Sequence, residues 1–467
     1  MIHTQSLHLS QDLIIRRDPQ YFDSFTAFNF VNCKTYHLDH NQYRVLKLIE
    51  KRSTSEKDLF SSLGKGSKER GRGEEIISEF LKEGILLEKI FEKTKYNTTE
   101  DNLGKKQVRF IPNSKVPVAS FPTRADIFLT HRCNMKCIHC NVSAGKPLKN
   151  EIDVDDWKNI FDQLEEEKIF KIQISGGEST IYPGFSELIT YLGDKKFKTS
   201  VLTNANRLDD EIIELFAKSR ISVGVSLDGA TPDTHDPFRK SKGSFQRVLN
   251  NLRKFQDLGI QSTITTVIHK KNQHQIQQIF DICQEYGVKM LCFVFIDEVG
   301  RGVSAQDWML SVEEKIKARE YFHEIYPKYK ELFYATIVQP ENYISTIKNS
   351  QQSVFCKAGT YSMAIDSDGT VFPCTMGVQL GAIPIGNATI KPLVEIWESK
   401  NWDLFRGEIP LNQLSACSNC SLNMNCSMKK CRMRSLLNGD IQGRPSGCPS
   451  AEMKEIEQAI FDKDCFN

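Results

Sequence analysis

Apolar and polar positions follow three successive patterns along this chain of 467 residues. Residues 12–18 (DLIIRRD) and 25–39 (FTAFNFVNCKTYHLD) are rich in β-branched and aromatic side chains and are predicted as strands. From about residue 41 the period lengthens, and Tyr43, Leu46 and Ile49, flanked by Val45 and Leu48, form a helical stripe. Thr54 is placed as an N-cap, a Gly-rich loop fills residues 64–73, and residues 74–83 and 85–90 read as an amphipathic helix and a short strand. Residues 92–122 turn polar, with prolines at 112, 117 and 122, which is the composition of a linker. Beyond it the two periods alternate. Strands are predicted over 125–130, 171–175, 199–203, 222–227, 262–268 and 289–295, and helices over 154–167, 185–192, 209–218, 245–258 and 275–286. Near-continuous apolar strands joined by crossover helices predict a parallel sheet of six β–α units. Six units do not close an eight-stranded barrel, so an open side is expected, wide enough for a peptide, with the chemistry at the C-terminal strand ends. Residues 313–333 read as charged, amphipathic helices, and 364–373 (AIDSDGTVFP) as a hairpin with a tight Asp368-Gly369 turn.

The length allows roughly three domains at about 150 residues each. Charge excludes more than it selects: 61 Lys and Arg stand against 59 Asp and Glu, so no global field invites nucleic acid or an anionic membrane. A winged-helix DNA reader would carry basic side chains on a helix face, whereas Lys65, Lys68, Arg70 and Arg72 fall in the Gly-rich loop and read as solvated. The first residues contain no apolar run of signal-peptide length, and no stretch approaches the ~18 apolar residues of a membrane span. A cytoplasmic protein without nucleic-acid or membrane partners is therefore expected. Fourteen cysteines in a reducing compartment point to metal or redox sites rather than disulfides.

Cys133, Cys137 and Cys140 (THRCNMKCIHCN) follow the first predicted strand of the alternating region. Three thiolates at this spacing can hold three irons of a cuboidal cluster and leave the fourth iron open. A structural zinc knot would need a fourth ligand nearby. After the second strand comes Ser175-Gly176-Gly177-Glu178, where glycines permit close backbone approach to a ligand and Glu178 could help hold an ammonium. Thr203-Asn204-Ala205 follows the third strand and Ser226-Leu227-Asp228-Gly229 the fourth, with Arg239 soon after.

These motifs resemble the signature of the radical S-adenosylmethionine (SAM) enzymes. The resemblance implies a partial (β/α)6 TIM-like barrel, a [4Fe–4S] cluster on Cys133, Cys137 and Cys140, and SAM bound to the open iron as source of a 5′-deoxyadenosyl radical. It also implies SAM contacts from His139, Gly176, Gly177, Glu178, Asn204, Ser226, Arg239 and Val267. Each has an ordinary alternative: a loop histidine for His139, a surface ion pair for Arg239, a turn cap for Asp228, core for Val267. Ala205 stands where the family often has glycine. No catalytic acid or base is assigned, because a radical route can run on positioning alone.

Seven of the fourteen cysteines lie between Cys356 and Cys448, with Cys417, Cys420, Cys426 and Cys431 in close succession. The pattern resembles the SPASM extension of radical SAM enzymes, which carries one or two auxiliary [4Fe–4S] clusters; the gap of four residues before Cys431 is one longer than is common there. By that resemblance Cys356, Cys374 and Cys431 hold an inner cluster and Cys417, Cys420, Cys426 and Cys448 an outer one. Ser362 fills a slot where some relatives have a further cysteine, so the inner cluster is expected to have an open iron that a substrate thiolate could reach. Zinc in a ribbon-like fold is the rival reading of these cysteines. Cys33, Cys283 and Cys292 read as buried thiols and Cys465 as free.

The N-terminal segment, a small winged-helix-like α+β unit by pattern, resembles the PqqD-like peptide-recognition domain of enzymes that mature ribosomally made peptides, which adds a leader peptide to a sheet edge. The expected organisation is recognition domain 1–95, linker 96–122, barrel 123–310, helical bridge 311–350 and SPASM domain 351–467. The implied function is radical modification of a precursor peptide carrying a leader, foremost a sactipeptide-type bond from cysteine sulfur to an α-carbon. An external donor such as flavodoxin or ferredoxin would supply electrons. Carbon–carbon cross-linking, epimerisation, sulfatase-type maturation and a non-enzymatic iron–sulfur or zinc scaffold are the alternatives. Anaerobically purified protein should contain acid-labile sulfide and clearly more than the roughly four irons of one cluster; four irons alone would remove the auxiliary clusters.

Overall fold

The computed structural model describes residues 118–337 and 358–406 continuously. Outside them it describes residues 6–9, 13–17, 25–29, 34–38, 54–55, 86–89, 353–354, 409–410 and 431–436, with a few isolated positions that include Cys356 and Cys417. The predicted helix over 74–83, most of the stripe near Leu46, residues 92–117 of the linker, and Cys420, Cys426 and Cys448 lie outside the described residues.

Six strands come before the linker: β1 (Ser6–Leu9), β2 (Leu13–Arg17), β3 (Phe25–Asn29), β4 (Lys34–Leu38), β5 (Thr54–Ser55) and β6 (Leu86–Lys89). They form two three-stranded sheets, ordered β5-β1-β6 and β2-β3-β4. The single strand expected over 25–39 is instead a hairpin, β3 against β4 from Phe25↔Leu38 to Asn29↔Lys34, which gives both halves ladder partners. Thr54 is not a helix cap: it lies in β5, opposite Leu7.

The large sheet follows from the alternating region. Its strands are β7 (Arg124–Thr130), β8 (Lys171–Gly176), β9 (Lys198–Thr203), β10 (Ser222–Ser226), β11 (Ser262–Ile268), β12 (Met290–Phe295) and β13 (Tyr334–Ile337), all parallel to their neighbours. The six predicted strands are all present. β13 adds a strand within the stretch expected as a helical bridge, where the helix Val312–Ile325 ends before it. After a two-residue strand, β14 (Ser353–Val354), come β15 (Ser362–Ile365), β16 (Thr370–Phe372) and β17 (Gly386–Asn387). A last short strand, β18 (Ile409–Pro410), pairs with β14. β15 lies parallel to β7, so the expected hairpin is built into the barrel sheet, whose full order is β13-β12-β11-β10-β9-β8-β7-β15-β16-β17.

Helices cover the sheet with their apolar stripes. The helix Val154–Glu166 is capped by Asp153, whose carboxylate accepts from the amides of Asp155 and Asp156. It buries Trp157, Ile160, Phe161 and Leu164 at helical spacing. These join Ile127, Ile174, Val201, Val225, Ile264 and Leu291 in one core. That core continues without a break into Met363, Ile365, Trp397, Trp402 and Phe405 of the C-terminal region. The indole N–H of buried Trp397 donates to the Ala119 carbonyl at 3.0 Å, binding this region to the chain ahead of β7. Trp397→Phe removes the donor together with the pyrrole part of the buried indole, and should cost about 1–3 kcal/mol or more in denaturant unfolding; an unchanged midpoint would show that neither the bond nor that packing contributes.

Candidate active site

The C-terminal ends of the parallel strands meet around one loop, residues 131–145. It is tied off at its neck, where Gly145 N–H donates to His131 O at 2.9 Å and Cys133 N–H to Gly145 O at 3.2 Å. Cys133, Cys137 and Cys140 stand on it, Cys137 buried and the others half-buried. They are close enough that each ionised thiol would oppose the others, and burial pushes the Cys133 thiol up to about 11. Thiols so placed become good ligands only when a metal centre offsets their charge. A further cation is at hand: Arg239 Nη1 lies 3.7 Å from Cys137 Sγ.

The first brace on the loop is the glycine pair. Gly176 adopts φ +126°, and a Cβ there would stand 2.3 Å from Thr130 O; one on Gly177 would stand 2.1 Å from Arg132 O. The glycines therefore serve the approach of this turn to the neck of the cysteine loop, where Gly177 N–H donates to Thr130 O and Glu178 N–H to Arg132 O. Glu178, fully buried, accepts on Oε1 from Thr180 Oγ1 and Thr203 Oγ1, both at 2.7 Å, and on Oε2 from the Asn204 amide at 2.7 Å. The carboxylate that the motif offered to an ammonium is thus engaged in joining the turns after β8 and β9. Ala205 takes φ +49°, the left-handed conformation a glycine would have eased.

Asp228 is the second brace. Fully buried, it accepts from Arg239 Nε at 2.5 Å and from the Val267 amide at 2.7 Å. His235 Nδ1 accepts from the Asp228 amide at 3.0 Å. Asp228 is therefore a hub rather than a simple turn cap, and Arg239 is no surface ion pair. His139 stacks on Phe238, ring centres 4.4 Å apart, with Nε2 3.9 Å from Asp228 Oδ2. Val267 packs with Phe238, Ile296 and Ala305. Ser226, half-buried, ends β10.

Three contributors were not legible as motifs. Glu151 accepts from Thr130 Oγ1 and from the amides of His131 and Leu148, holding the loop from below. His131 Nε2 meets Asp366 Oδ1 at 2.7 Å, which joins the loop to the β15–β16 hairpin. Arg301, after β12, donates to loop carbonyls. All are charged or polar residues, and only the folded arrangement gives them their task.

The site fits the group its thiols imply. Three cysteines on one loop lie within electrostatic reach of one another, a guanidinium faces Cys137, and two polar atoms on the same loop, Asn134 Nδ2 and His139 Nδ1, are buried without a hydrogen-bond partner. Such orphaned atoms at strand ends are what a polar ligand would satisfy. Among the described residues no three His, Cys, Asp or Glu side chains converge on a single metal ion. A second group of thiols gathers on the hairpin side: Cys356, Cys374 and Cys431 lie within electrostatic reach of one another, and burial pushes Cys374 up to about 12. Cys417 is buried, and Ser362 opens β15 opposite Arg124. Cys283 is fully buried and Cys292 half-buried in the barrel, away from both groups in sequence.

The parallel sheet and the thiol loop at its C-terminal edge agree with the domain that the sequence motifs imply. The family model of the radical SAM superfamily matches residues 127–283, and that of the SPASM iron–sulfur cluster-binding domain matches residues 356–421. Residues 127–283 thus form a radical SAM domain and residues 356–421 a SPASM domain, and such domains use [4Fe–4S] clusters and SAM. The chain is similar to the antilisterial bacteriocin subtilosin biosynthesis protein AlbA of Bacillus subtilis, 29% identical over 257 residues that make up 55% of each chain. The chain thus matches little more than half the length of that relative. It is also similar to the AdoMet-dependent heme synthase of Methanosarcina barkeri, 28% identical over 66% of this chain and 90% of the synthase. Among solved structures, Streptococcus suis SuiB bound to its precursor peptide SuiA shares the fold with a TM-score of 0.72 and 20% identity, over 95% of this chain and 99% of that one.

Two buried imidazoles make the site sensitive to acid. Burial pushes His235 and His269 down to about 4 from 6.5, so both stay neutral in the folded protein while the unfolded chain would protonate them. The stability they contribute is fully present above pH 6.5 and is lost as pH falls towards 4, at about 1.4 kcal/mol per pH unit for each. Urea unfolding from pH 7 to pH 4 should show this slope, and His235→Gln should reduce it; equal slopes in both proteins would refute the assignment.

Proposed function

We propose that this enzyme modifies a ribosomally synthesised precursor peptide, joining a cysteine sulfur to an α-carbon. The observation that carries the peptide substrate is the extent of the likeness to SuiB, which spans 95% of this chain and so takes in the N-terminal sheets. A third of the chain falls outside the heme synthase match. The β5-β1-β6 and β2-β3-β4 sheets have edges to which an extended leader peptide can add as a strand.

The residues divide the work as follows. Cys133, Cys137 and Cys140 would hold the SAM-binding cluster, and the turns at Gly176-Gly177, Asn204 and Ser226, with Arg239, His139 and Val267, would supply the contacts to SAM. When bound, the cluster and SAM supply a deoxyadenosyl radical that removes a hydrogen atom from the substrate. The partial barrel keeps water from that centre, and the braced turns fix the distance between the reacting atoms. Thioether formation takes two hydrogens from the peptide, one as an atom from the α-carbon and one as the thiol proton. One electron is left over. Cys356, Cys374 and Cys431, with a second set at Cys417, Cys420, Cys426 and Cys448, would hold auxiliary clusters able to accept it. A small acidic electron carrier, flavodoxin or ferredoxin, supplies the starting electron. The protein works in the cytoplasm; among the described residues no helix is long and apolar enough to cross a membrane.

Reaction of the reduced enzyme with SAM and its cognate peptide, under anaerobic conditions, should give a product lighter by two hydrogens per bridge, with the bridge at a cysteine. Replacing Cys133, Cys137 and Cys140 by alanine should abolish SAM cleavage. An unchanged mass with inverted stereochemistry would instead identify an epimerase.

A further inference from the structure

β7 and β12 stand five places apart in the sheet and share no ladder, yet the loops that follow them are bonded together. The contact is made by a compact turn at residues 297–302. Arg301 donates three hydrogen bonds to the cysteine loop: its amide to Cys140 O at 2.9 Å, Nε to Cys137 O at 2.8 Å and Nη1 to Ala144 O at 2.8 Å. Two of these carbonyls belong to cysteines of the loop and the third to its return limb, so one residue, through its amide and its guanidinium together, sets the curvature of the loop. The turn is shaped for this approach. Gly300 takes φ +57°, and a Cβ on it would stand 2.3 Å from Asn141 O and 2.5 Å from Cys140 O. Gly302 packs so closely that its Cβ would stand 2.1 Å from Asp297 O. At the start of the same turn Asp297 Oδ1 accepts from Arg434 Nη2 at 2.6 Å. Arg434 lies on the short helix Arg432–Leu436, which begins one residue after Cys431.

We propose that residues 297–302 form a clasp between the two thiol sites, with Arg301 as the positioning residue that holds the Cys133–Cys140 loop in its ligating shape. Asp297 anchors the clasp to the segment carrying Cys431. A guanidinium is suited to this task because its donors are spread over a rigid plane that reaches two separated carbonyls, whereas a lysine offers its donors from a single nitrogen without that fork. The clasp is a property of the polypeptide, although its value for cofactor retention rests on the reading of this loop as the SAM-cluster site.

Arg301→Gln, Arg301→Lys, Asp297→Asn and the unaltered protein would be compared in two states. In the metal-free protein, amide hydrogen exchange across residues 133–145 should rise about tenfold or more in Arg301→Gln, less in Arg301→Lys, and rise also in Asp297→Asn. In the reconstituted protein, a chelator should strip iron from the SAM-responsive cluster about 10- to 100-fold faster in Arg301→Gln. That cluster is recognised by the change of its electron paramagnetic resonance signal on adding SAM, and signals that do not respond to SAM should persist. Unchanged exchange in Arg301→Gln would overturn the clasp. So would equal loss of all cluster signals with a lowered melting temperature, which marks a scaffold role only. Absence of any SAM-responsive signal in the unaltered protein would instead refute the functional reading, and the exchange experiment would still decide the clasp.

Discussion

The structure depends on holding a thiol-bearing loop in a shape it could not keep alone. Fifteen residues at the top of a parallel sheet carry backbone groups that no ladder reaches, and each unmet group would cost free energy if buried. They are met by side chains arriving from all sides: Glu151 below the neck, the Gly176-Gly177 turn from β8, Arg301 from β12, and His131 outward to Asp366. The donors and acceptors are mostly ionised, which makes their bonds short and directional. The shape of the loop is thereby fixed by bonds within the polypeptide.

Charge burial beneath the loop follows the same logic. Asp228 and Arg239 lie side by side with almost no exposure, an arrangement whose desolvation cost offsets most of its Coulomb gain. Its value lies in geometry. Asp228 also takes the Val267 amide, so the pair fixes the ends of β10 and β11 together and aims Nη1 of the guanidinium at Cys137. Glu178 does the equivalent for β8 and β9 through Thr203 and Asn204. Burial pushes the Glu178 carboxyl up while its several donors pull the other way, and the hydrogen bonds keep it in place in either case. Neighbouring strand ends are thus joined in pairs by buried carboxylates.

Local pattern made the barrel legible. β11 was predicted with the bounds it has, and the other five strands differ by a residue or two, because buried parallel strands are continuous apolar runs closed by turn residues. The Gly-Gly pair was legible as a close approach, and the structure shows one such approach, to the backbone of Thr130 and Arg132. What the sequence hid was long-range. Ser362–Ile365 reads as half of a hairpin, and nothing in four residues announces that they also pair with β7, some 240 positions earlier. Arg301 sits among glycines in a segment without periodicity, and Asp366 in a turn motif that already accounts for an aspartate. Their roles arise from folding distant strand ends onto one loop, and single-sequence pattern carries no such information.

The register of β15 also bears on how the two thiol groups can cooperate. Phe372 pairs with Ala364, so Cys374, two residues on, stands near the Ser362 end of the hairpin, which is level with Arg124 at the start of β7. The cysteine loop begins at the far end of β7, beyond Thr130, where His131 meets Asp366. At about 3.3 Å per residue, the strand from Ser362 to Asp366 spans about 13 Å and β7 about 20 Å. The insertion of the hairpin into the barrel sheet thus fixes the Cys374 end of the hairpin about one strand length from the start of the cysteine loop, and the shared register of β7 and β15 holds that separation.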